Sequence, residues 1–475
     1  MKKLILSTTM AALLVSASAM AQVDFSRYVA LGDSLTAGYV GGGLMDYYQN
    51  RSFPARLAAQ ADVGTFEMPL ISPPGLAPVL VLQSLSPLVI DTTDVAPPAD
   101  PFEYFYNVTL EAPYQNLAIP GSNTYDTLFT TGNILNLIAG NQNNVMPDLI
   151  LRTPQVQDPT TGEMIDYTPL VAAISQQPTF VTLWIGNNDY LSALITATPL
   201  DGVTMTPIPA FEQYMTGVIG GLATSLPNAQ IVVMSLFGDA RWVAFADSVA
   251  NSVDVPGVGT VTLVGEDGEL TSGDRLTLAA ADLIAQGYGL PIPGAPPLPE
   301  NLDITTGAPG VILRETELDA IVDRAAAYNQ IIDGLAGQFS NVHVFDVNPW
   351  FSRLANGTYR SFGGIELNTD LLVGGFFSYD GIHPQNMGQS VIAYELINFL
   401  NSELGAGLDQ IDMREALNEG DWRTGGSGVV CVTCDPKNAR LTRTAFAQLY
   451  ELFAPDLARR WQQHRAEHQM AAAVD

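Results

Sequence analysis

Four short apolar runs stand out along the chain: "RYVAL" (27–31), "TFVTLWI" (179–185), "QIVVMSLF" (230–237) and "VHVFDV" (342–347). All are rich in β-branched residues and none alternates strictly between apolar and polar, the pattern of strands buried on both faces of a parallel sheet. A fifth, less clear run ends in "YQNLAIPG", at Gly121. Between these runs apolar residues recur at helical spacing, over 53–60, over 211–226 and most strongly over 314–339, where Ile321, Ala325, Tyr328, Ile332 and Leu335 share one face. Strands and helices in alternation predict an α/β fold, with a five-stranded parallel sheet and helices on both faces.

Long irregular segments interrupt this plan. Residues 64–101 are rich in Pro, Leu and Val and show little periodicity. The stretch 253–310 opens with "GTVTLVGEDGELTSGDRLTL", expected to form a hairpin turning at Asp267-Gly268, and continues into "GYGLPIPGAPPLPE". Loops of this length in a compact domain serve as lids or binding loops or are disordered, and the apolar composition favours the first two. After Leu404 the pattern changes: "GSGVVCVTCDPKN" reads as a link, and 441–469 as a helix broken near Pro455. The expected organisation is a leader over 1–21, a main domain over 22–404 with insertions at about 64–112 and 253–310, and a largely helical extension over 405–475.

The first residues, "MKKLILSTTMAALLVSASAMAQ", place two lysines before a short apolar run and a small-x-small pattern at Ala19-Met20-Ala21. They read as an export signal cleaved after Ala21, giving a secreted or periplasmic protein that starts at Gln22. The run is shorter than the roughly 20 apolar residues a membrane span needs. A formal net charge of −29 argues against nucleic acid and against anionic membrane surfaces. It says nothing of chemistry, and solubility explains it. Cys431 and Cys434, the two cysteines, sit in "CVTC". In an exported protein a local disulfide is the default; a zinc site would need two further ligands, and a redox site a βαβ context.

Four segments that follow proposed strands carry candidate chemistry. In "LGDSLTAGY", Ser34 opens a helix after the first strand, where the helix's positive end favours a nucleophile and the oxyanion it makes. The same residues also suit a plain helix cap. Gly121, in "NLAIPGSN", can bring a backbone N–H close to a ligand because it has no side chain. Asn188, in "IGNNDYL", offers an amide to a developing oxyanion. "DGIHP" holds Asp380 and His383, one of four histidines in 475 residues, three positions apart on one loop. In open α/β sheets ligands bind at the edge where strands end and strand order reverses.

This set, in this order, resembles the SGNH or GDSL family of serine esterases and lipases. "GDSL" matches the first block, Gly121 the second, "GNND" (Gly186, Asn188, Asp189) the third, and "DGIH" the last. The resemblance covers Tyr28 to about Leu404, and "SGDRLTL", "PLPE" and "ETELDAI…AAAYNQ" look like its secreted bacterial branch with long insertions. The Gly/Pro insertion and everything after Leu404 match no family pattern. The resemblance implies a three-layer, flavodoxin-like fold with Ser34 as nucleophile, His383 as base and Asp380 as its orienting acid. It also implies an oxyanion hole of the Ser34 and Gly121 N–H groups with the Asn188 amide, and no metal or organic cofactor. The substrates implied are carboxylic esters, small or lipid-like. Apolar loops favour a hydrophobic acyl chain or bulky ester. Deacetylation of a carbohydrate, or a non-catalytic exported binding protein on the same scaffold, are the alternatives.

Two rival motifs are weaker. "HRAEH" (464–468) has the spacing of a zinc-hydrolase helix but lacks a downstream helix for a third ligand, so a solvated face is the better reading. His343 alternates with apolar residues in a strand and reads as structural. A Gly-x-Ser-x-Gly elbow is absent. In the extension Arg440, Arg443, Arg459, Arg460 and Arg465 cluster, and Phe446, Leu449, Tyr450, Phe453, Leu457 and Trp461 form an apolar stripe. Such a basic amphipathic element could dock on the acidic body, or on a second copy to form a homo-oligomer.

Overall fold

The computed structural model describes residues 23–419 and 440–464, apart from 86, 111–112, 142–143, 304–305, 362–363, 365 and 453–455. At its centre, β1 (Tyr28–Gly32), β2 (Phe180–Trp184), β3 (Gln230–Met234) and β4 (Val342–Phe345) lie side by side in chain order, every pair parallel. The register runs from Tyr28 opposite Phe180 to Gly32 opposite Trp184. β2 is buried along its whole length, which is why its sequence shows no polar alternation.

The fifth expected strand takes a looser form. Residues 115–119 run parallel to the free side of β1, with Ala30 N–H donating to Gln115 O, Leu117 N–H to Ala30 O and Ile119 N–H to Gly32 O at 2.9–3.1 Å. The Asn116 side chain draws the backbone out of regular pairing: its Oδ1 accepts from Ala118 N–H and its Nδ2 donates to Thr36 O. Ranked by sequence, the spatial order is 2-1-3-4-5, and the order reverses between β1 and β2.

Two helix pairs flank the sheet. Ile208–Ser225 packs with Glu315–Ala336, where Phe211 stacks on Tyr328 at 3.8 Å between ring centroids. All five residues of the predicted stripe on the second helix are buried, each worth about 1.5–3 kcal/mol for the large aliphatics. Phe53–Gln60 packs with Asn386–Glu403. It starts where the sequence predicts, with Ser52 capping Ala55 N–H and Pro54 in the first turn.

The insertions hold more local structure than their composition suggests. Leu80–Leu85 and Leu88–Thr92 form an antiparallel hairpin within the first. In the second, the turn before Gly268 is present, but only Val264–Gly265 and Gly268–Glu269 pair across it. Gly259–Thr262 pairs backwards with Ser252–Val255, so the expected single hairpin is two. The described part of the extension joins the main core. Arg440–Leu441 adds a parallel strand beside Leu88–Thr92, and a helix spans Arg443–Glu451 with Ala445 and Leu449 buried. Helical residues resume over 456–464, with Leu457 buried in the same core. Residues 1–22, Cys431, Cys434, Phe453, Pro455 and Arg465 to His468 lie outside the described residues. Among the described residues, no helix is long and apolar enough to cross a membrane.

Candidate active site

Ser34 follows the carboxyl end of β1 and begins the short helix Ser34–Ala37. Asp33 caps that helix, its Oδ1 accepting from Leu35 N–H at 2.9 Å. Gly32 is required by packing, since a Cβ there would lie 2.3 Å from Thr36 Oγ1 and 2.6 Å from Trp184 O. The sharp bend thus holds the serine against the sheet edge, 2% exposed.

His383 and Asp380 reach the same edge on a loop that closes on itself, Ser378 N–H donating to His383 O. His383 Nε2 stands 2.9 Å from Ser34 Oγ, and Nδ1 stands 2.8 Å from Asp380 Oδ2. Both residues are fully buried. Asp380 accepts five hydrogen bonds. Ser378 O–H and the N–H groups of Ile382 and His383 reach Oδ1, while His383 Nδ1 and Gly42 N–H reach Oδ2. Burial alone would raise this carboxyl's pKa; the imidazole and the surrounding backbone donors outweigh it and hold the group below the ordinary carboxylate range.

The other two blocks frame Ser34 from neighbouring strand ends. Gly121 has φ +83°, a conformation in which a side chain is strained. Asn188 opens the helix Asn188–Ile195 after β2 and spends one amide hydrogen on Ser122 O at 2.7 Å, leaving the other without an acceptor among the described residues. That bond ties the Gly121 loop to the Asn188 helix. Asp189 strengthens the tie, accepting from Thr124 N–H, Thr124 O–H and Thr206 O–H. Burial pushes the Asp189 carboxyl up to about 6, moderated by Arg460 and those hydrogen bonds. Among the described residues, neither Ser34 N–H nor Gly121 N–H meets an acceptor. Two backbone donors and one amide hydrogen are therefore left without an acceptor among the described residues.

The site also rests on residues to which the sequence reading gave no role. Tyr39 packs its ring 4.8 Å from the His383 ring. Ser378 links Gly41 N–H to Asp380, and Gln389 joins Phe53 N–H to Leu35 O. The run "GGG" at 41–43 is the one signal that could have exposed the Gly42 contact, because Gly41 and Gly42 both have positive φ. A small cavity of about 30 Å³ adjoins Ser34 and His383. Its apolar walls include Leu191, Leu194, Phe237, Val243 and Phe377, so they come from the segments after β2, β3 and β4 rather than from the two long insertions. His343 Nε2 pairs with Gln230 Oε1 at 2.7 Å. Among the described residues no cluster of three His, Cys, Asp or Glu could hold a metal.

Asp33 carries its own consequence. Its Oδ2 is buried without a partner among the described residues, and burial pushes the carboxyl from 3.8 up to about 7, opposed by Leu35 N–H and His383 and reinforced by Asp189. Between those two values the folded chain holds a proton that the unfolded chain has lost, so stability falls as pH rises through this window. Asp33→Asn keeps the cap and should remove that slope, worth about 2–3 kcal/mol between pH 5 and 8. Chemical denaturation of both proteins at the two pH values measures it; parallel slopes would refute the assignment.

Residues 28–396 match the family described as GDSL-like Lipase/Acylhydrolase. The chain belongs to that family, whose members act on ester bonds. No functionally curated protein matches the chain. Among solved structures it is similar to a family 3 carbohydrate esterase of Clostridium thermocellum (13% identity, 80% of this chain and 96% of that one, TM-score 0.30). Two further likenesses are a phospholipase A1 of Streptomyces albidoflavus NA297 (16%, 79% and 98%, TM-score 0.30) and an extracellular lipase of Streptomyces rimosus (16%, 79% and 98%, TM-score 0.31).

Proposed function

We propose that this chain is an exported carboxylic ester hydrolase that works through an acyl-enzyme on Ser34. The observation that carries the reading is the pair of hydrogen bonds through His383, to Ser34 Oγ at 2.9 Å and to Asp380 Oδ2 at 2.8 Å. His383 Nε2 takes the hydroxyl proton as Ser34 Oγ attacks the ester carbonyl. Asp380 holds Nδ1–H and stabilises the imidazolium. The oxyanion is met by the Ser34 and Gly121 N–H groups and the free hydrogen of the Asn188 amide. His383 then returns its proton to the departing alcohol, deprotonates a water, and the second addition releases the acid and restores Ser34. Labelling with a serine-directed phosphonate tests this: stoichiometric modification at Ser34 is expected, and an unlabelled Ser34 would leave the non-catalytic binding protein as the better account.

Asn188→Ala should lower kcat by about 10²–10³ with little change in KM, because its contact forms mainly in the transition state. A pure KM effect would make Asn188 a ground-state binding residue.

The apolar walls of the cavity favour a hydrocarbon acyl group. The small size of the cavity beside Ser34 favours the second reading, a carbohydrate acetylesterase. Rates over p-nitrophenyl esters of rising chain length separate the two: a maximum at acetate supports deacetylation, and a rise towards longer chains supports a lipase-like enzyme.

A further inference from the structure

The extension does not stand apart from the site. Gln448, on the helix Arg443–Glu451, donates to Gly42 O at 3.1 Å and to Pro78 O at 2.7 Å, and Gly42 is the residue whose N–H bonds Asp380. Phe446 stacks over Phe245, whose N–H bonds Gly381 O beside Asp380. Leu452, one residue past the helix, lies against Gly121: a Cβ built on that glycine would come 2.9 Å from Leu452 O and 3.3–3.4 Å from its side chain. Leu452 also packs on the cluster that contains Ala37, Tyr39, Ile71 and Ala118. Further on, Asp456 accepts from the Asn123 side chain at 3.1 Å and pairs with the buried Arg460.

These contacts reach the supports of the last block, the second block and, through Arg460, the Asp189 of the third. They are anchored at the other end as well. Arg440–Leu441 is hydrogen-bonded into the hairpin edge, Thr442 O–H donates to Asp91, and Tyr450 O–H donates to Gly307 O. The segment is therefore held over the site by specific bonds rather than by loose apolar contact alone.

We propose that Leu452 is a wall of the substrate site, and that the extension limits the size of the ester group admitted over Gly121. The inference rests on the proposed ester hydrolysis, in which the carbonyl oxygen lies against Gly121 N–H. Any substituent beside that carbonyl then meets the Leu452 side chain and carbonyl before it meets solvent.

The test uses the full chain with Leu452→Ala and Leu452→Phe, each assayed on p-nitrophenyl acetate and on a branched, bulky acyl ester. Leu452→Ala should raise the bulky-to-acetate ratio of kcat/KM by about tenfold or more, since a single methylene in an apolar pocket already provides about that much discrimination. Leu452→Phe, which leaves no void, should lower it by a similar factor. A ratio that stays constant in both variants, with rates rising or falling together, would overturn the inference and make Leu452 a packing residue. Phosphonate labelling runs alongside: labelled Ser34 with a constant ratio defeats only the role of Leu452, whereas an unlabelled wild-type Ser34 defeats the ester-hydrolase reading and this inference with it.

Discussion

Ser34→Ala should fold normally and lose nearly all ester hydrolysis, a drop of roughly 10⁶ in kcat if the loss matches that of other serine hydrolases. The two halves of that expectation have separate grounds. Folding survives because the helix is capped by Asp33 rather than by Ser34, and because the substitution removes a single oxygen whose partner among the described residues is His383. Loss of one such hydrogen bond costs about 1 kcal/mol, which should appear as a small shift in the melting temperature. Activity is lost because no other hydroxyl or thiol lies within hydrogen-bond reach of His383 Nε2 among the described residues. A variant that keeps a rate near wild type while folding normally would require another nucleophile, and the proposed mechanism would be wrong.

What could be read from the sequence divides along physical lines. β2 was legible because burial on both faces forces an unbroken apolar run, and the helix Glu315–Ala336 because one buried face forces a 3.6-residue period. The candidate residues were legible for a different reason. Ser34, Gly121, Asn188, Asp380 and His383 each sit in a short motif at a strand end, where local chemistry and fold position coincide. The contacts that hold those residues carry no such mark. Gly42 meets Asp380 across 338 positions, and Gln448 meets Gly42 across 406. Neither pairing leaves a local period or motif, since a glycine N–H and an exposed-looking glutamine are common anywhere. Residues 115–119 fell between the two cases. They follow β1, but the Asn116 side chain diverts backbone bonds that a regular strand would keep. The sequence of the extension reads as a basic amphipathic element, yet where it docks depends on a hairpin edge and a glycine loop that only the fold brings together.

Asp380→Asn should lower kcat/KM by about 10⁴, less than the loss in His383→Ala, and should also weaken the loop. A backbone carbonyl could orient the imidazole partly in its place, but the local bonding works against a mild outcome. Both oxygens of Asp380 face donors, three at Oδ1 and two at Oδ2. An amide NH₂ at the Oδ2 position would point hydrogens at Gly42 N–H and at His383 Nδ1. The imidazole can answer by moving its proton to Nε2, and it then donates to Ser34 instead of receiving its proton. Turned the other way, the NH₂ would leave the N–H groups of Ile382 and His383 unpaired in a buried loop, at about 1–3 kcal/mol for each unsatisfied donor. The substitution also removes a linkage. The carboxylate is favoured in the fold, so its contribution to stability is present above the ordinary carboxylate pKa and is lost as pH falls below that range. Asp380→Asn should therefore be less stable than wild type at pH 7, with the gap narrowing towards pH 3. Melting curves at both pH values and kcat/KM for Asp380→Asn and His383→Ala provide the measurements. Equal losses in the two variants would mean that Asp380 does more than orient the ring, and a loss under tenfold would mean that another group holds Nδ1.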